Sequence, residues 1–254
     1  MFIFFLIFVF IHIRVKKLIF VTGTDTGAGK TVLTAMLLAF LRRGGAAALA
    51  MKPFCSGSRG DARLLLRLQR ESVTLDDVNP FYFDKPLAPA AAAGRGRPGV
   101  SRQAALEKIR LLASRCDLLL VEGVGGLLSP LGKGYTIRDL IRRLEGKTIV
   151  VCLNRLGVIN HVLLTAESLQ IAGIKEFTVA MMSVKKPDFS ARSNARMIRQ
   201  MLPLIPVFCL PYLGNRASTA RAAKENAKYL KKTLARIVGN DILRMFFHRK
   251  KRVG

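Results

Sequence analysis

The sequence has no tryptophan, three histidines and four cysteines, and it carries 16 acidic residues against 42 lysines and arginines. Cys55, Cys116, Cys152 and Cys209 stand far apart with no C-x-x-C pair, and with so few histidines this argues against a structural zinc site. Sparse, scattered cysteine fits a reducing, cytoplasmic setting better than a disulfide framework. The shortage of acid leaves a net charge of +26. The basic residues are spread along the chain, so the excess reads as a compositional bias, and no specific nucleic-acid partner is expected. The exception is the C-terminus, which ends in His248-Arg249-Lys250-Lys251-Arg252. Such a cluster attracts polyanions in a salt-dependent way without reading bases.

The apolar start, Met1 to Ile13, is shorter than the roughly 20 residues a membrane-spanning helix needs. It also lacks the basic flank and small-residue cleavage site of a signal peptide. It reads first as an upstream extension from a misassigned start, with a membrane anchor and an extra strand as the alternatives, and no membrane partner is expected. The expected division is therefore an apolar extension over 1–16, one domain over 17–237 and a basic tail over 238–254. No internal repeat is visible, and half the residues are hydrophobic, enough for one large core.

The stretch around which the chain is organised is Val21-Thr22-Gly23-Thr24-Asp25-Thr26-Gly27-Ala28-Gly29-Lys30-Thr31. An apolar run, Lys17 to Val21, precedes it and reads as a buried strand; Val32 to Leu41 follows and reads as a helix. Strand, glycine-rich turn and helix in that order form the setting of a phosphate-binding loop. Its glycines let backbone N–H groups converge on an anion, and the helix N-terminus adds a favourable dipole. Lys30 reaches the terminal phosphates and the Thr31 hydroxyl suits Mg²⁺. The first glycine, Gly23, stands one residue earlier than the standard spacing requires, so this is a variant loop with one extra residue.

Further along, Ala46 to Met51 predicts a second strand, followed by Lys52-Pro53-Phe54-Cys55-Ser56-Gly57. A Lys and a Ser just past a strand's carboxyl end lie where open α/β sheets bind ligands. Asp61 is either a helix N-cap or a carboxylate turned towards a metal. The Pro- and Ala-rich connection 79–99 is of a kind that folds over a site. Leu118 to Glu122 reads as a buried strand ending in an acid, with Gly123-Val124-Gly125-Gly126 behind it. The acid suits Mg²⁺, and the glycines allow close approach to phosphate. Thr136 with Asp139 resembles a capping box. Thr148–Leu153, Phe177–Met182 and Val207–Leu210 predict strands; Val158–Ala172, Ser190–Met201 and a long final Ala217–Ile237 predict helices. The alternation implies an α/β fold, a doubly wound, mostly parallel sheet with helices on both faces, of the P-loop NTPase type.

At this point the motifs resemble dethiobiotin synthetase over about Lys17 to Leu234. They are the loop just described, Lys52-Pro53 with Ser56-Gly57, Val121-Glu122-Gly123 with Gly125-Gly126, Leu156-Gly157-Val158-Ile159-Asn160-His161, and Pro211-Tyr212-Leu213. The resemblance implies an ATP- and Mg²⁺-dependent ligase that takes 7,8-diaminopelargonate and CO₂ and works as a cytoplasmic homodimer. It implies catalytic Lys30 and Lys52, and Thr31, Asp61 and Glu122 around Mg²⁺. Nucleotide contacts would come from Gly27, Ala28, Gly29, Lys30, Thr31, Val32, Asp61, Glu122, Gly123, Val124, Gly125, Met182, Ser183, Pro211, Tyr212 and Leu213. Diamine contacts would come from Thr26 and Ser56, and from Gly157, Ile159 and Asn160 at a dimer interface, where a helix N-terminus takes the substrate carboxylate.

Three positions depart from the family pattern: Gly27 where a Glu is frequent, Ala90 where a His is common after Pro89, and Met182-Ser183 where an Asn-Asp pair usually reads adenine. The rival reading is a partitioning-type ATPase switch that binds DNA or membrane. That class has a second lysine early in the loop, where this chain has Asp25, and it leaves Lys52 and Ser56 unexplained.

Overall fold

The computed structural model describes residues 18–69, 72–94 and 99–247. The apolar start and the final basic cluster 248–252 lie outside them. In chain order the elements are β1 (Leu18–Gly23), α1 (Lys30–Arg43), β2 (Ala48–Met51), β3 (Phe54–Ser56), α2 (Gly60–Arg67), α3 (Leu75–Val78), β4 (Phe81–Phe83), α4 (Pro89–Ala92), α5 (Arg102–Ala113) and β5 (Leu118–Glu122). They continue with β6 (Pro130–Gly132), β7 (Tyr135–Thr136), α6 (Ile137–Leu144), β8 (Lys147–Leu153), α7 (Val158–Ile171), β9 (Phe177–Met182), α8 (Asn194–Met201), β10 (Val207–Leu210), α9 (Ala220–Tyr229), α10 (Lys231–Val238) and α11 (Asn240–Phe247). Among the described residues no helix is long and apolar enough to cross a membrane.

Six strands form one parallel sheet in the order β10-β9-β8-β1-β5-β2. Every residue of β1 is buried, as a central strand covered on both faces requires. Its sequence, LIFVTG, accordingly shows an apolar run and no alternation. Helix α1 packs on β1, β2 and β5, with α9 and α10 against it, while α5 and α6 pack on β5 and β1. Strand order reverses at β1, between β5 and β8, so the crevice at the carboxyl edge opens beside the phosphate loop.

Local signals account for most boundaries. Ser101 caps α5 by accepting from Ala104 N at 3.1 Å, and Thr136 with Asp139 forms the expected capping box of α6. The final helix read as Ala217–Ile237 is instead α9 and α10, broken at Leu230. Neither Gly nor Pro marks the break. It lets Ala223 and Ala227 face α1 while Leu234, Ile237 and Val238 turn into the core. Thr219 caps α9, which therefore starts three residues later than expected. Residues 240–247, read as the start of a basic tail, form α11, with Ile242 buried. The helix read over Ser190–Met201 opens with a 3₁₀ turn, Phe189–Arg192, before α8 begins at Asn194. The connection 79–99 contains β4 and α4, and β4 pairs in parallel with β3.

On the edge strand β2, both backbone groups of Ala50 are held by a side chain. Gln69, 1% exposed, accepts from Ala50 N at 2.9 Å and donates to Ala50 O at 2.6 Å. This side-chain amide blunts the sheet edge. Gln69→Leu strands two buried backbone groups, each worth about 1–3 kcal/mol, so the expected loss is about 2–6 kcal/mol in urea unfolding. An unchanged midpoint would show that the edge is held in another way.

Candidate active site

The loop after β1 turns through Gly27 and Gly29, whose φ angles are +74° and +95°. At Gly29 a side chain is excluded twice: the angle disfavours one, and a Cβ would stand 3.0 Å from Met182 Cγ. Lys30 opens α1 and is buried, its ammonium donating to Asp25 O at 2.8 Å and Gly125 O at 2.5 Å. Two carbonyls from separate loops thus hold it at the mouth of the phosphate loop.

Lys52 follows β2 and Glu122 ends β5, so parallel pairing of neighbouring strands sets them side by side. Lys52 Nζ donates to Glu122 Oε1 at 2.9 Å and makes a short hydrogen-bonded ion pair with Asp61 Oδ2. The Thr31 hydroxyl donates to the same Glu122 Oε1 at 2.5 Å. Asp61 is not the cap of α2: Arg59 holds that position, and the Asp61 carboxylate is turned to Lys52. Among the described residues, two buried side-chain oxygens here have no hydrogen-bond partner, Glu122 Oε2 and Ser56 Oγ. Unpaired buried oxygens in a cleft are what a ligand would satisfy.

The electrostatics differ between the two lysines. Burial lowers the Lys30 pKa to about 8, against the opposing pull of Glu122. Burial also opposes charge on Lys52, but Glu122 and Asp61 outweigh it and hold its pKa above the usual lysine value. For Asp61, burial works against the charge, and the adjacent Lys52 overcomes it, so the carboxyl sits below its ordinary range.

These groups share one cleft of about 560 Å³, lined by Thr26, Gly27, Gly29, Lys30, Thr31, Val32, Lys52, Ser56, Asp61, Val124 and Gly125. Ala28 is buried in the loop, Glu122 and Gly123 are buried at the end of β5, and Met182 packs on Gly29. Ser183 and the Pro211–Leu213 segment follow β9 and β10, linked by Ser183 N donating to Leu210 O at 3.0 Å. Gly157, Ile159 and Asn160, at the start of α7, do not line this cleft, and neither do Met182, Ser183 and Pro211–Leu213. Cleft-lining residues missed from sequence are Cys55, Ser58, Ser129, Ser218 and the Pro86–Pro89 run. Only the proline-rich character of that run signalled a cover. Ser129 has a local role, accepting from Gly126 N at 2.9 Å. A wider groove of about 1110 Å³ opens at the amino ends of β8 and β9, on the edge opposite the phosphate loop.

Sheet order, glycine loop and buried lysine define a P-loop nucleotide-binding protein, and a family model described as "AAA domain" matches residues 17–218. Solved structures show the same fold. A ParA family ATPase from Chlorobium tepidum has a TM-score of 0.54 at 12% identity, covering 87% of this chain and 96% of its own. The cell division protein MinD from Aquifex aeolicus has a TM-score of 0.54 at 16% identity, covering 85% and 97%. At such identities only the architecture is shared. Curated relatives are closer: the ATP-dependent dethiobiotin synthetases BioD of Bacillus licheniformis, 34% identical over 77% of this chain and 83% of theirs, and of Anaeromyxobacter dehalogenans, 37% over 80% and 94%. That of Bacillus subtilis is 32% identical over 84% and 92%. The chain belongs to the dethiobiotin synthetase family.

The lowered Lys30 pKa sets a pH dependence. Between pH 8 and the unfolded value of 10.5 the folded chain has released a proton that the unfolded chain keeps, so this group's contribution to stability rises with pH in that window. Nucleotide phosphates favour the ammonium, so binding takes up a proton above pH 8. ATP affinity should fall as pH rises past 8, approaching about tenfold per pH unit, and Lys30→Met should abolish the slope. Calorimetric titration across pH 7–10 checks this; a flat wild-type profile would contradict it.

Proposed function

We propose that the protein is an ATP- and Mg²⁺-dependent ligase that converts 7,8-diaminopelargonate and CO₂ to dethiobiotin. The observation that carries the reading is the meeting of Lys30, Lys52, Thr31, Asp61 and Ser56 in one cleft, with the buried Glu122 bonded to Thr31 and Lys52 beneath it. One amine of the diamine adds to CO₂ to give a carbamate. A carbamate oxygen attacks the γ-phosphorus of ATP and ADP leaves. The second amine then attacks the carbamoyl carbon, expels inorganic phosphate and closes the ureido ring. A carbamate is a weak nucleophile, so positioning and charge stabilisation dominate.

Lys30 faces the transferring phosphoryl group from the head of α1, and Lys52 faces it from the end of β2, in contact with the carbamate. The orphaned Ser56 Oγ is suited to a substrate amine, which both donates and accepts. Thr31, Asp61 and Glu122 would hold Mg²⁺: the donors are all oxygen, and the buried Glu122 Oε2 still lacks a partner. When bound, the ion supplies charge neutralisation on the β- and γ-phosphates. The loop amides of Gly27 to Val32 and the Gly123–Gly125 turn serve the phosphates.

A homodimer in the cytoplasm completes the reading. Leu156, Leu164, Phe189 and Met201 are exposed on or beside the adjoining helices α7 and α8. Such an apolar surface suits a second copy. Gly157, Ile159 and Asn160, at the start of α7, would serve the neighbouring subunit's diamine carboxylate in such a dimer.

The assay is diaminopelargonate-dependent ATP cleavage with dethiobiotin as product. Lys30→Ala and Lys52→Ala should each lower kcat by at least about 100-fold, as for loss of an electrostatic stabiliser. ATP cleavage that ignores the diamine and responds to DNA would overturn the proposal in favour of a switch.

Base recognition is assigned to the ends of β9 and β10, next to the loop, where Met182 packs on Gly29. Met182 presents a thioether against Gly29, and the Tyr212 hydroxyl is already bonded to Asn215. A side-chain amide that pairs with adenine is thus missing at Met182, and its loss is worth about 0.5–1.5 kcal/mol, or about two- to tenfold in discrimination. ATP, GTP and CTP should differ by less than about 100-fold in kcat/KM, and Met182→Asn should widen the gap. An ATP preference above that level, unmoved by Met182→Asn, would displace the base from this pocket.

A further inference from the structure

The groups assigned to Mg²⁺ are already joined by a cation of the protein itself. Lys52 bridges Glu122 Oε1 and Asp61 Oδ2, and Thr31 donates to the same Glu122 oxygen. The side chain of Glu122 is 0% exposed and that of Lys52 9%, whereas that of Asp61 is 48% exposed. A carboxylate buried to that degree needs a compensating charge. Lys52 supplies it, yet one ammonium faces two carboxylates and Glu122 Oε2 remains without a partner. Lys30 also feels the pull of Glu122, but its ammonium donates to main-chain carbonyls, so Lys52 is the lysine that bridges the two carboxylates.

We infer that Lys52, besides facing the transferred phosphoryl group, is a placeholder cation that holds Asp61 and Glu122 together and keeps a divalent ion out until nucleotide arrives. The inference rests on the metal assignment made in the proposed function. A divalent ion that takes Glu122 Oε1 and Asp61 Oδ2, the oxygens Lys52 holds, must displace the ammonium from at least one of them. Without a phosphate to receive it, the displaced ammonium stays buried and loses its counter-charge, which opposes metal binding. A triphosphate provides anionic oxygens for it, so nucleotide and metal each favour the other, and the coupling is reciprocal. Lys52 thereby makes the metal–nucleotide complex the species that binds.

The test is Mn²⁺ binding, read by electron paramagnetic resonance, to the full-length wild type, Lys52→Met and Lys52→Arg, with and without a non-hydrolysable ATP analogue. Wild type should bind Mn²⁺ alone at least about tenfold more weakly than with the analogue, a coupling of ordinary size. Lys52→Met should bind Mn²⁺ alone at least about tenfold more tightly than wild type, and Lys52→Arg, which keeps the charge, should remain as weak as wild type. If Lys52→Met folds poorly, thermal melts report the same property: Mn²⁺ alone should raise its Tm and leave that of wild type unchanged. Equal Mn²⁺ affinity in wild type and Lys52→Met, or wild-type binding indifferent to the analogue, overturns the inference. Diamine-dependent turnover measured on the same wild-type preparation separates the two claims. Turnover with equal Mn²⁺ affinities removes the placeholder alone; the expected Mn²⁺ pattern without turnover removes the ligase reading alone.

Discussion

A carboxylate as deeply buried as Glu122 is tolerated only with a positive partner, and much of the cleft follows from that constraint. Its partner, Lys52, must come from a neighbouring strand end, and the parallel pairing of β2 with β5 delivers it. Thr31, from the first turn of α1, donates to the same carboxylate and so ties the phosphate loop to β5. Asp61 closes the group from the first turn of α2. Four chain segments are thereby held by one small polar cluster at the floor of the cleft, with Glu122 buried and Asp61 half exposed. Charges that must be paired to be buried can be re-paired by an anionic ligand, which is the physical basis of the proposed site.

Backbone geometry imposes the second constraint. A loop that turns its amides towards an anion needs residues of positive φ, and Gly27 and Gly29 supply them. Gly29 also leaves room for Met182, so the loop packs directly on the end of β9. Gly126 approaches closely too: a Cβ there would lie 3.1 Å from Thr24 O. The two glycine-rich turns therefore nest against each other, and Lys30 donates into both. Its position is set by main-chain carbonyls, which makes it insensitive to the rotamers of neighbouring side chains.

The architecture alone does not choose among functions. ParA- and MinD-like structures share it at 12% and 16% identity. Function therefore has to be argued from the cleft, where this chain has Lys52 and Ser56 at strand ends beside the loop. The strong basic character is a property of the whole chain and does not single out this site.

The sequence by itself determined the strand–loop–helix unit, the parallel α/β class and the residues that carry charge at strand ends. These are local properties: apolar runs with no alternation, glycines at fixed offsets and capping residues are all read within a few positions of one another. Asp61 remained ambiguous, since a helix cap and a cluster carboxylate look alike in sequence; only the approach of Lys52 from β2 decided it. The break at Leu230 was invisible because no Gly or Pro marks it, and it answers to packing on α1 and the core. Ser129 and Ser218 entered the cleft through loop paths that no local pattern announces. Gln69 came to hold the sheet edge because an unpaired strand backbone must find partners, and the nearest one was set by how α2 ends beside β2. Which strands lie side by side, and so which distant side chains meet, is a matter of long-range pairing, and that only the tertiary structure decided.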